Sequence, residues 1–328
     1  MANNWAQLFY YPGNKGENKM SKIGIIGLGH VGRLLAHQLL VSGEGDDLVL
    51  IDQDDQLALA VMTDLQDAAT ALAGHPRIVI QDYAALKDAQ VVIVAVGKSS
   101  LIADQPMAEL TFNHTAIKQV AARVRASGFG GIVLNLSNPN EAVTAYLQQC
   151  LLLPPKQVIG IGTVLETARL HRAIAAAAKL APANVSGFVY GQHDGQQVFA
   201  WSTVRVNGQA LDQTINGHQL DRQQLKINAD LDNWYTLQGL GYNASAVCTW
   251  ASRIIRAILT DEQLALPVAI FQPQYEGYVS FPALIGRQGV GNLLLLKLYP
   301  VEEAGIKTAA ATINQQLAAL QRMDEDND

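Results

Sequence analysis

Short apolar runs recur along the first half of the chain and alternate with segments of helical periodicity. The runs lie at 23–27, 48–52, 77–80, 91–96 and 132–136. Continuous hydrophobicity, rather than strict alternation, is typical of strands that are buried on both faces of a parallel sheet. The pattern therefore predicts an α/β fold that begins with a Rossmann-type, doubly wound parallel sheet.

Beyond about residue 160 the pattern becomes that of a mixed α+β region. Helices are predicted from Leu165 to about Lys179, over roughly 239–260, and from about Val301 to Arg322. Strand-like segments are predicted at 184–190, 198–206, 267–271 and 277–285. Asn207-Gly208, directly after the second of these segments, is a hairpin signal.

The change of pattern predicts two domains, over 20–160 and 161–328, preceded by an N-terminal segment over 1–19. That segment is polar, contains Gly and Pro, and lacks the apolar core of a signal peptide. A flexible arm, an arm used in oligomer contacts and a wrongly chosen start codon all fit it equally well.

Composition excludes several classes of function. The 328 residues carry a net charge of −6, and the 23 Lys and Arg residues form no basic stripe, so a nucleic-acid partner is not expected. No apolar run is long enough to span a membrane. Cys150 and Cys248 match no metal or redox spacing, which favours buried, unreactive thiols and a cytoplasmic location.

The turn after the first predicted strand reads Gly27-Leu28-Gly29-His30-Val31-Gly32. In such a motif the first glycine permits the tight turn, the second lets backbone approach a pyrophosphate, and the third allows close helix packing. Asp52 ends the second strand about 20 residues later, where a carboxylate binds ribose hydroxyls and disfavours a 2′-phosphate. The motif predicts an NAD site; the alternative is a helix-packing turn followed by an ordinary exposed aspartate.

Two further strand ends are candidates for ligand contact, because ligands of such sheets bind beyond the carboxyl ends of the strands. Gly97 follows the fourth predicted strand, and Leu136-Ser137-Asn138-Pro139 follows the fifth. Asn before Pro is also an ordinary turn sequence, so Asn138 alone is weak evidence.

Candidate chemistry in the second half lies at Glu166, Arg169 and His193. Glu166 and Arg169 are three residues apart and share a face of a predicted helix, which fits either a site or a surface ion pair. His193 lies in the turn Gly191-Gln192-His193-Asp194-Gly195, where a histidine is either a loop residue or an acid–base group.

Together these motifs resemble the lactate/malate dehydrogenase superfamily, and most closely its L-2-hydroxyisocaproate dehydrogenase-like branch. The resemblance covers Ile23 to about Arg322. The motifs that show this resemblance are the glycine turn, Asp64-Leu65-Gln66-Asp67-Ala68, Ser137-Asn138-Pro139, Gly162-Thr163 through Arg169, Gly191-Gln192-His193, Ala200 through Val206, Gly241-Tyr242 and Pro282 through Arg287.

The resemblance implies a hydride transfer between NAD and a 2-hydroxy or 2-oxo acid, with no metal. His193 would exchange the proton with the substrate oxygen, Glu166 would orient its ring, and Arg169 would bind the substrate carboxylate, with Asn138 and Asn243 also contacting substrate. The implied cofactor contacts are Gly27, Gly29, His30, Val31, Gly32, Asp52, Gly97, Asn113, Leu136 and Asn138. A homotetramer or homodimer is also implied.

The chain departs from this family in three ways. The family carries an arginine that polarises the substrate ketone in a mobile loop, but no Lys or Arg occurs between Lys98 and Lys118, and the expected position holds Pro106. Glu166 replaces the usual aspartate, which puts the orientation of His193 in doubt. Asp194 replaces the usual glycine, and it would raise the pKa of His193 if it lay close.

These departures leave three hypotheses. One is a working dehydrogenase for 2-oxo acids with bulky apolar side chains, since Leu101, Ile102 and Met107 make the loop apolar. Another is an NAD-binding paralogue that has reduced or lost catalysis because the loop arginine is absent. A third is different chemistry on the same scaffold, using His114 or Asp104.

Overall fold

The structure is a computed structural model that describes residues 21–74, 76–97, 106–211 and 219–325, with the backbone alone for 106–108. The predicted N-terminal arm and the loop residues Leu101, Ile102 and Asp104 lie outside the described residues. The side chains of Pro106 and Met107 lie outside them as well.

The first half is the predicted parallel sheet. Its strands are β1 (Lys22–Ile26), β2 (Asp47–Ile51), β3 (Arg77–Ile80), β4 (Val91–Val94), β5 (Ile132–Asn135) and β6 (Val158–Gly160). They pair in the order β3-β2-β1-β4-β5-β6. The helices are α1 (His30–Ser42), α2 (Asp55–Ala69), α3 (Pro106–Ala126) and α4 (Asn140–Leu151).

Helices cover both faces of this sheet, which explains why its strands are apolar throughout. Along β4, Val91 and Ile93 pack with residues of α1 and α2. Val92 and Val94 point the other way and pack with residues of α3 and α4. The predicted doubly wound sheet is thus confirmed, and strand order reverses between β1 and β4.

The second half extends the same sheet with antiparallel strands. Its helices are α5 (Val164–Ala178), α6 (Arg222–Leu240), α7 (Ser245–Thr260) and α8 (Pro300–Glu325). Its strands are β7 (Val185–Ser186), β8 (Val189–Gly191), β9 (Gln197–Phe199), β10 (Arg205–Val206), β11 (Gln209–Ala210), β12 (Leu264–Gln272), β13 (Gly277–Gly286) and β14 (Gly289–Leu293). The sheet continues as β6-β12-β13-β8-β9 with β14 on β13, while β11-β10-β7 form a small sheet.

Several predicted boundaries in the second half are wrong. The helix predicted over 239–260 is the end of α6 and all of α7, because Gly241 ends α6 with a φ of 77°. The strand predicted over 184–190 is split at Gly187, where φ is 117° and a side chain would lie 2.7 Å from the Val204 backbone. The segment predicted over 198–206 likewise contains most of β9 and all of β10, which are separate strands. The hairpin at Asn207-Gly208 is confirmed.

A buried amide network fixes the end of β5 against the start of the second half. Asn135 Nδ2 donates to Thr144 Oγ1 at 2.9 Å and to the Ser137 carbonyl at 3.1 Å. Asn140 Nδ2 donates to the Asn135 carbonyl at 3.1 Å, and Asn140 Oδ1 accepts from Gly162 N at 3.0 Å. Since these groups are buried and mutually satisfied, the turn after β5 and the turn before α5 are held in one arrangement.

The described residues also address the predictions on membrane spans and on the two cysteines. Within the described ranges, no helix combines the length and the apolar character that crossing a membrane would require. Cys248 is buried as predicted, but Cys150 is only half-buried, because it lies near the end of α4.

The glycine turn after β1 requires close backbone packing at two of its positions. Gly27 has a φ of 95°, and a β-carbon there would lie 2.5 Å from the Ala95 carbonyl oxygen. A β-carbon at Gly32 would lie only 1.8 Å from the Gly27 carbonyl oxygen, whereas one at Gly29 would meet nothing within 4 Å. Helix α1 therefore packs on the turn through Gly32, while Gly29 is open.

We predict that Gly32→Ala destabilises the fold and that Gly29→Ala does not. The collision at residue 32 involves backbone, so it costs about 1–3 kcal/mol of unfolding free energy or more. Urea unfolding of the two variants, measured side by side, checks this. Equal stability of both variants would contradict the packing described for Gly32.

Candidate active site

Asp52 and the N-terminus of α1 form one end of the candidate site. Asp52 Oδ2 accepts a hydrogen bond from Leu28 N at 2.6 Å, and Oδ1 accepts from Asp54 N at 3.0 Å. The carboxylate thus stabilises the glycine turn itself. Helix α1 begins at His30 without a side-chain cap, so its first N–H groups and positive dipole end are available to an anion.

His30 connects this turn to the second half. Its ring stacks on Tyr242 with centroids 4.1 Å apart, and Nδ1 lies 2.9 Å from Arg33 Nη2. The family resemblance implied a cofactor contact for His30 and gave no role to Tyr242. The Gly241-Tyr242 dipeptide gave no signal that its ring crosses to the glycine turn.

The carboxyl ends of β4 and β5 are linked through Asn113 on α3. Asn113 is fully buried, and its Nδ2 donates to the Asn138 carbonyl at 2.6 Å. Leu136 N continues the sheet pairing by donating to the Val94 carbonyl at 2.8 Å. The structure therefore links Asn113 to Asn138 beyond β5 and places its Oδ1 3.9 Å from the β-carbon position of Gly97. Asn113 came from the family resemblance, whereas Gly97, Leu136 and Asn138 were also expected from the strand ends.

His193 and Arg169 converge on one carboxylate oxygen. Glu166 Oε1 lies 2.9 Å from His193 Nδ1 and 3.8 Å from Arg169 Nη1. The Glu166 side chain is 1% exposed and that of His193 is 6% exposed. The longer side chain of glutamate therefore still reaches the ring, and the contact with Nδ1 is an ion pair at short range.

On the opposite edge of the ring, Asp194 Oδ2 lies 3.3 Å from His193 Nε2. Asp194 has a φ of 49°, the left-handed region that glycine adopts readily. Its Oδ1 accepts from Asn233 Nδ2 at 3.2 Å, and Asn233 Oδ1 accepts from Asn243 Nδ2 at 3.1 Å. Asn243 is thereby connected to the imidazole through Asn233 of α6 and Asp194.

A second buried acid, Glu141, holds the backbone of the histidine turn. Glu141 Oε1 accepts from His193 N at 2.9 Å and from Ser280 Oγ at 2.5 Å. Burial raises the pKa of Glu141 to about 7, opposed by the His193 charge and the Ser280 hydroxyl. Sequence reasoning missed this residue, although its place in the first turn after Asn138-Pro139 was a usable signal.

The electrostatics of the site favour a protonated imidazole. Burial lowers the pKa of His193, but the carboxylates of Asp194 and Glu166 on either side of the ring raise it to about 10. For Glu166, burial raises the pKa, but the His193 and Arg169 charges hold it below its ordinary value. At neutral pH the ring of His193 is therefore an imidazolium that lies between the carboxylates of Glu166 and Asp194.

Arg169 also borders a cavity of about 320 Å³ between α5, α6 and α7. Apolar side chains of Leu165, Leu240 and Trp250 line much of it, and Asn243 contributes an amide. Arg172 and Asp232 form an ion pair on the same lining. Volumes from about 300 Å³ upward suit small organic ligands.

The donor atoms of Glu166, His193 and Asp194 lie within 4.8 Å of one another, so a metal ion is a conceivable ligand. However, Glu166 faces Nδ1 and Asp194 faces Nε2, so the two carboxylates cannot coordinate one ion together with a single ring nitrogen. The imidazolium would also have to lose its proton first. The expectation of a metal-free site stays a prediction.

His114 lies apart from this cluster. Its Nε2 is 3.1 Å from Asp324 Oδ1, and its ring packs against Tyr146. These contacts attach α8 to α3 and α4. The hypothesis of different chemistry through His114 therefore gains no support from its surroundings, while Asp104 and the expected arginine position lie outside the described side chains.

The parallel sheet, the glycine turn and Asp52 define a dinucleotide-binding protein. The family model of the lactate/malate dehydrogenase NAD-binding domain matches residues 21–160. An L-lactate dehydrogenase of Bifidobacterium longum is 30% identical over 310 residues, covering 92% of this chain and 98% of that protein. One from Thermus aquaticus is 30% identical over 309 residues, covering 91% and 99%.

A solved structure agrees with these relatives. The minor L-lactate dehydrogenase of Enterococcus mundtii in its ligand-bound form is similar with a TM-score of 0.86 at 27% identity, covering 92% of this chain and 98% of that chain. The chain belongs to the lactate/malate dehydrogenase family.

We predict that His193 titrates far above the ordinary histidine range. The NMR signal of its ring should change with a midpoint near pH 10, compared with an ordinary value of 6.5. Because the folded-state pKa is raised, the stability that the imidazolium contributes is complete below about pH 6.5 and is lost as the pH rises through about 10.

Asp194→Asn removes one carboxylate and should move this midpoint to lower pH. Asp230→Asn, which removes a charge paired with Lys226 on α6, should leave the midpoint unchanged. A midpoint near 6.5 in the unmodified protein would contradict the description of a ring held between two carboxylates.

Proposed function

We propose that this protein interconverts 2-oxo and 2-hydroxy acids that carry bulky apolar side chains, using NAD(H). Membership of the family makes it an NAD-dependent 2-hydroxy acid dehydrogenase. We propose, beyond this family activity, the preference for a bulky substrate side chain and the roles of individual residues. The observation that carries the proposal is the convergence of His193 and Arg169 on the Glu166 carboxylate.

The first step assigned to this chain is substrate binding by Arg169. A guanidinium pairs a carboxylate through two parallel N–H groups, which fixes both the position and the plane of a 2-oxo acid. Arg169 is 12% exposed and borders the cavity, so it is partly desolvated but still reachable. Asn138 and Asn243 would then orient the substrate from opposite sides.

The second step is proton transfer from His193. NADH, when bound, supplies the hydride to the carbonyl carbon. The proton on His193 Nε2 passes to the carbonyl oxygen, so the ketone becomes an alcohol and the ring becomes neutral. Glu166 stabilises the charged ring before transfer and keeps the remaining proton on Nδ1.

Asp194 gives this site a directional bias. It holds His193 protonated at neutral pH, which prepares the ring to donate a proton during reduction. Oxidation of a hydroxy acid needs the neutral ring as base, a form that Asp194 and Glu166 disfavour in the ligand-free protein. The substrate oxygen must also displace the Asp194 carboxylate from Nε2.

The cavity beside Arg169 supports a substrate side chain larger than a methyl group. Leu165, Leu240 and Trp250 offer apolar contact on three helices. The apolar loop residues Leu101, Ile102 and Met107 point to the same preference by composition alone. Besides Arg169, the cation in this lining is Arg172, which is paired with Asp232, so a second carboxylate on the substrate would find no unpaired cation there.

A second candidate function is an NAD-binding paralogue with reduced or lost catalysis. The absence of Lys and Arg from 99–117 favours it. Removing one donor directed at a developing oxyanion costs about 10²–10³ in rate. Such a protein would keep the nucleotide site and the cavity but turn over slowly.

Three further expectations belong to the proposal. The division near residue 160 is supported by the end of the NAD-binding match at that residue. A homotetramer or homodimer, and a cytoplasmic location, follow from the family resemblance and from unpaired cysteines.

We predict turnover of NADH with 2-oxoisocaproate and phenylpyruvate at a higher kcat/KM than with pyruvate. His193→Asn should lower kcat by about 10²–10⁴ because it removes the proton donor, with NADH affinity retained. His37→Asn, an exposed histidine on α1, is the matched control and should change neither value. Steady-state absorbance at 340 nm and NADH fluorescence measure both quantities.

Two results would overturn parts of this account. Tight NADH binding without turnover of any 2-oxo acid would reject the dehydrogenase and favour the paralogue. Unchanged kcat in His193→Asn would remove this histidine from the mechanism.

A further inference from the structure

Among the described residues, the charges in contact at the reacting end of the site sum to zero. Arg169 and the imidazolium of His193 are positive, while Glu166 and Asp194, which contact them, are negative. A 2-oxo acid brings its own carboxylate to Arg169. The site with such a substrate bound therefore has a net negative charge.

Two further acids make this region more negative. Burial raises the pKa of Glu141 and that of Glu109 to about 7, and the charge of His193 acts on both carboxyls. The Oε2 atoms of Glu141 and Glu166 are buried and have no hydrogen-bond partner in the part of the chain that the structure describes. Since these two atoms are inaccessible, they act on a ligand through charge and not through contact. The region is thus suited to a ligand that adds positive charge.

Asp194 places one negative charge beside the nitrogen that exchanges the proton. Its Oδ2 lies 3.3 Å from His193 Nε2. Its backbone N donates to Glu166 Oε1 at 3.4 Å, and its Oδ1 accepts from Asn233 Nδ2 at 3.2 Å. The carboxylate is therefore held in place through both its backbone and its side chain, and with 35% exposure it is still accessible to a ligand.

The sign of this charge discriminates between the groups that can approach Nε2. A carbonyl oxygen offers only lone pairs, so Asp194 repels it and has to be displaced. The nitrogen of a protonated imine carries a positive charge and an N–H group, so it can donate to the carboxylate in a charge-assisted hydrogen bond. A carboxylate at this place also favours the protonated form of the imine.

We propose that this protein also reduces cyclic 2-imino acids to 2-amino acids, with Asp194 as the residue that recognises the positive imine nitrogen. This inference rests on the proposed function, because it needs the substrate carboxylate on Arg169 and NADH in the crevice. Cyclic imines are the suitable class because ring closure protects the C=N bond from hydrolysis. Their methylene groups would lie against the apolar lining of the cavity, at Leu165, Leu240 and Trp250.

The reduction balances in atoms and in charge. A hydride from NADH adds to the imine carbon, the π electrons of the C=N bond become a lone pair on nitrogen, and NAD⁺ is formed. The protonated imine becomes a neutral amine in this step without receiving a proton. The amine then takes a proton from His193 Nε2 and leaves as an ammonium group, and the ring regains its proton from water.

A matched pair of planar acids tests the charge recognition without catalysis. 1-Methylpyridinium-2-carboxylate carries a fixed positive charge beside its carboxylate, and 2-methylbenzoate is its neutral isostere. We expect the NADH complex to bind the cationic acid about tenfold or more tighter, and Asp194→Gly to abolish this difference. Isothermal titration calorimetry measures both affinities. Glycine adopts the φ of 49° at this position readily, and NADH affinity reports whether the variant keeps its fold.

Turnover tests the activity itself. We expect kcat/KM for NADH oxidation to be about tenfold or more higher with 1-piperideine-2-carboxylate than with 2-oxohexanoate, which has the same number of carbon atoms. Asp194→Gly and Asp194→Asn should each lower this ratio by about tenfold or more, because a hydrogen bond to a charged group is lost. Asp230→Asn, which removes a carboxylate paired with Lys226 on α6, is the matched control and should leave the ratio unchanged.

Three outcomes would overturn the inference. Equal affinity of the two planar acids for the unmodified protein would show that the site does not recognise the positive charge. An unchanged ratio in both Asp194 variants would remove Asp194 from recognition of the imine. Turnover of 2-oxo acids alone would reject the imine reduction and leave the proposed function standing, whereas no NADH oxidation with either class would reject both.

Discussion

The contact between Glu166 and the two cations beside it is the interaction on which the site depends. One buried oxygen faces both the imidazole of His193 and the guanidinium of Arg169. Removing one partner of a buried ion pair typically costs about 3–5 kcal/mol, because the other charge remains without compensation. The contact therefore fixes the imidazole of His193 and the guanidinium of Arg169 relative to each other.

The rest of the structure holds this contact in place from both halves of the chain. Glu141, at the start of α4, accepts from the His193 backbone and from Ser280 on β13. Asn140 joins the same helix to Gly162, just before α5. One continuous sheet runs through both halves and joins β1, β4 and β5 to β8, which ends directly before the histidine turn.

Much of the first half was predictable from sequence because its strands are buried on both faces and its glycine turn needs residues of one type. The second half was less predictable. Its strands are as short as two residues, and the polar helix α6 buries only Leu225 and Ala229, so it has little apolar periodicity. Glu141 was missed because its place after Asn138-Pro139 is the one signal that the sequence offers, and its burial against the histidine turn is known only from the fold. The Glu166 and Asp194 contacts needed side-chain geometry.

We propose that His193 and Arg169 act on one substrate beside a bound nicotinamide. A crystal structure with NADH and oxamate tests it most directly. The account predicts the oxamate carboxylate on Arg169 and its amide carbonyl oxygen within hydrogen-bond distance of His193 Nε2, with Asp194 displaced from that nitrogen. Oxamate bound elsewhere, or an imidazole still closed off by Asp194 with NADH and oxamate in place, would contradict it.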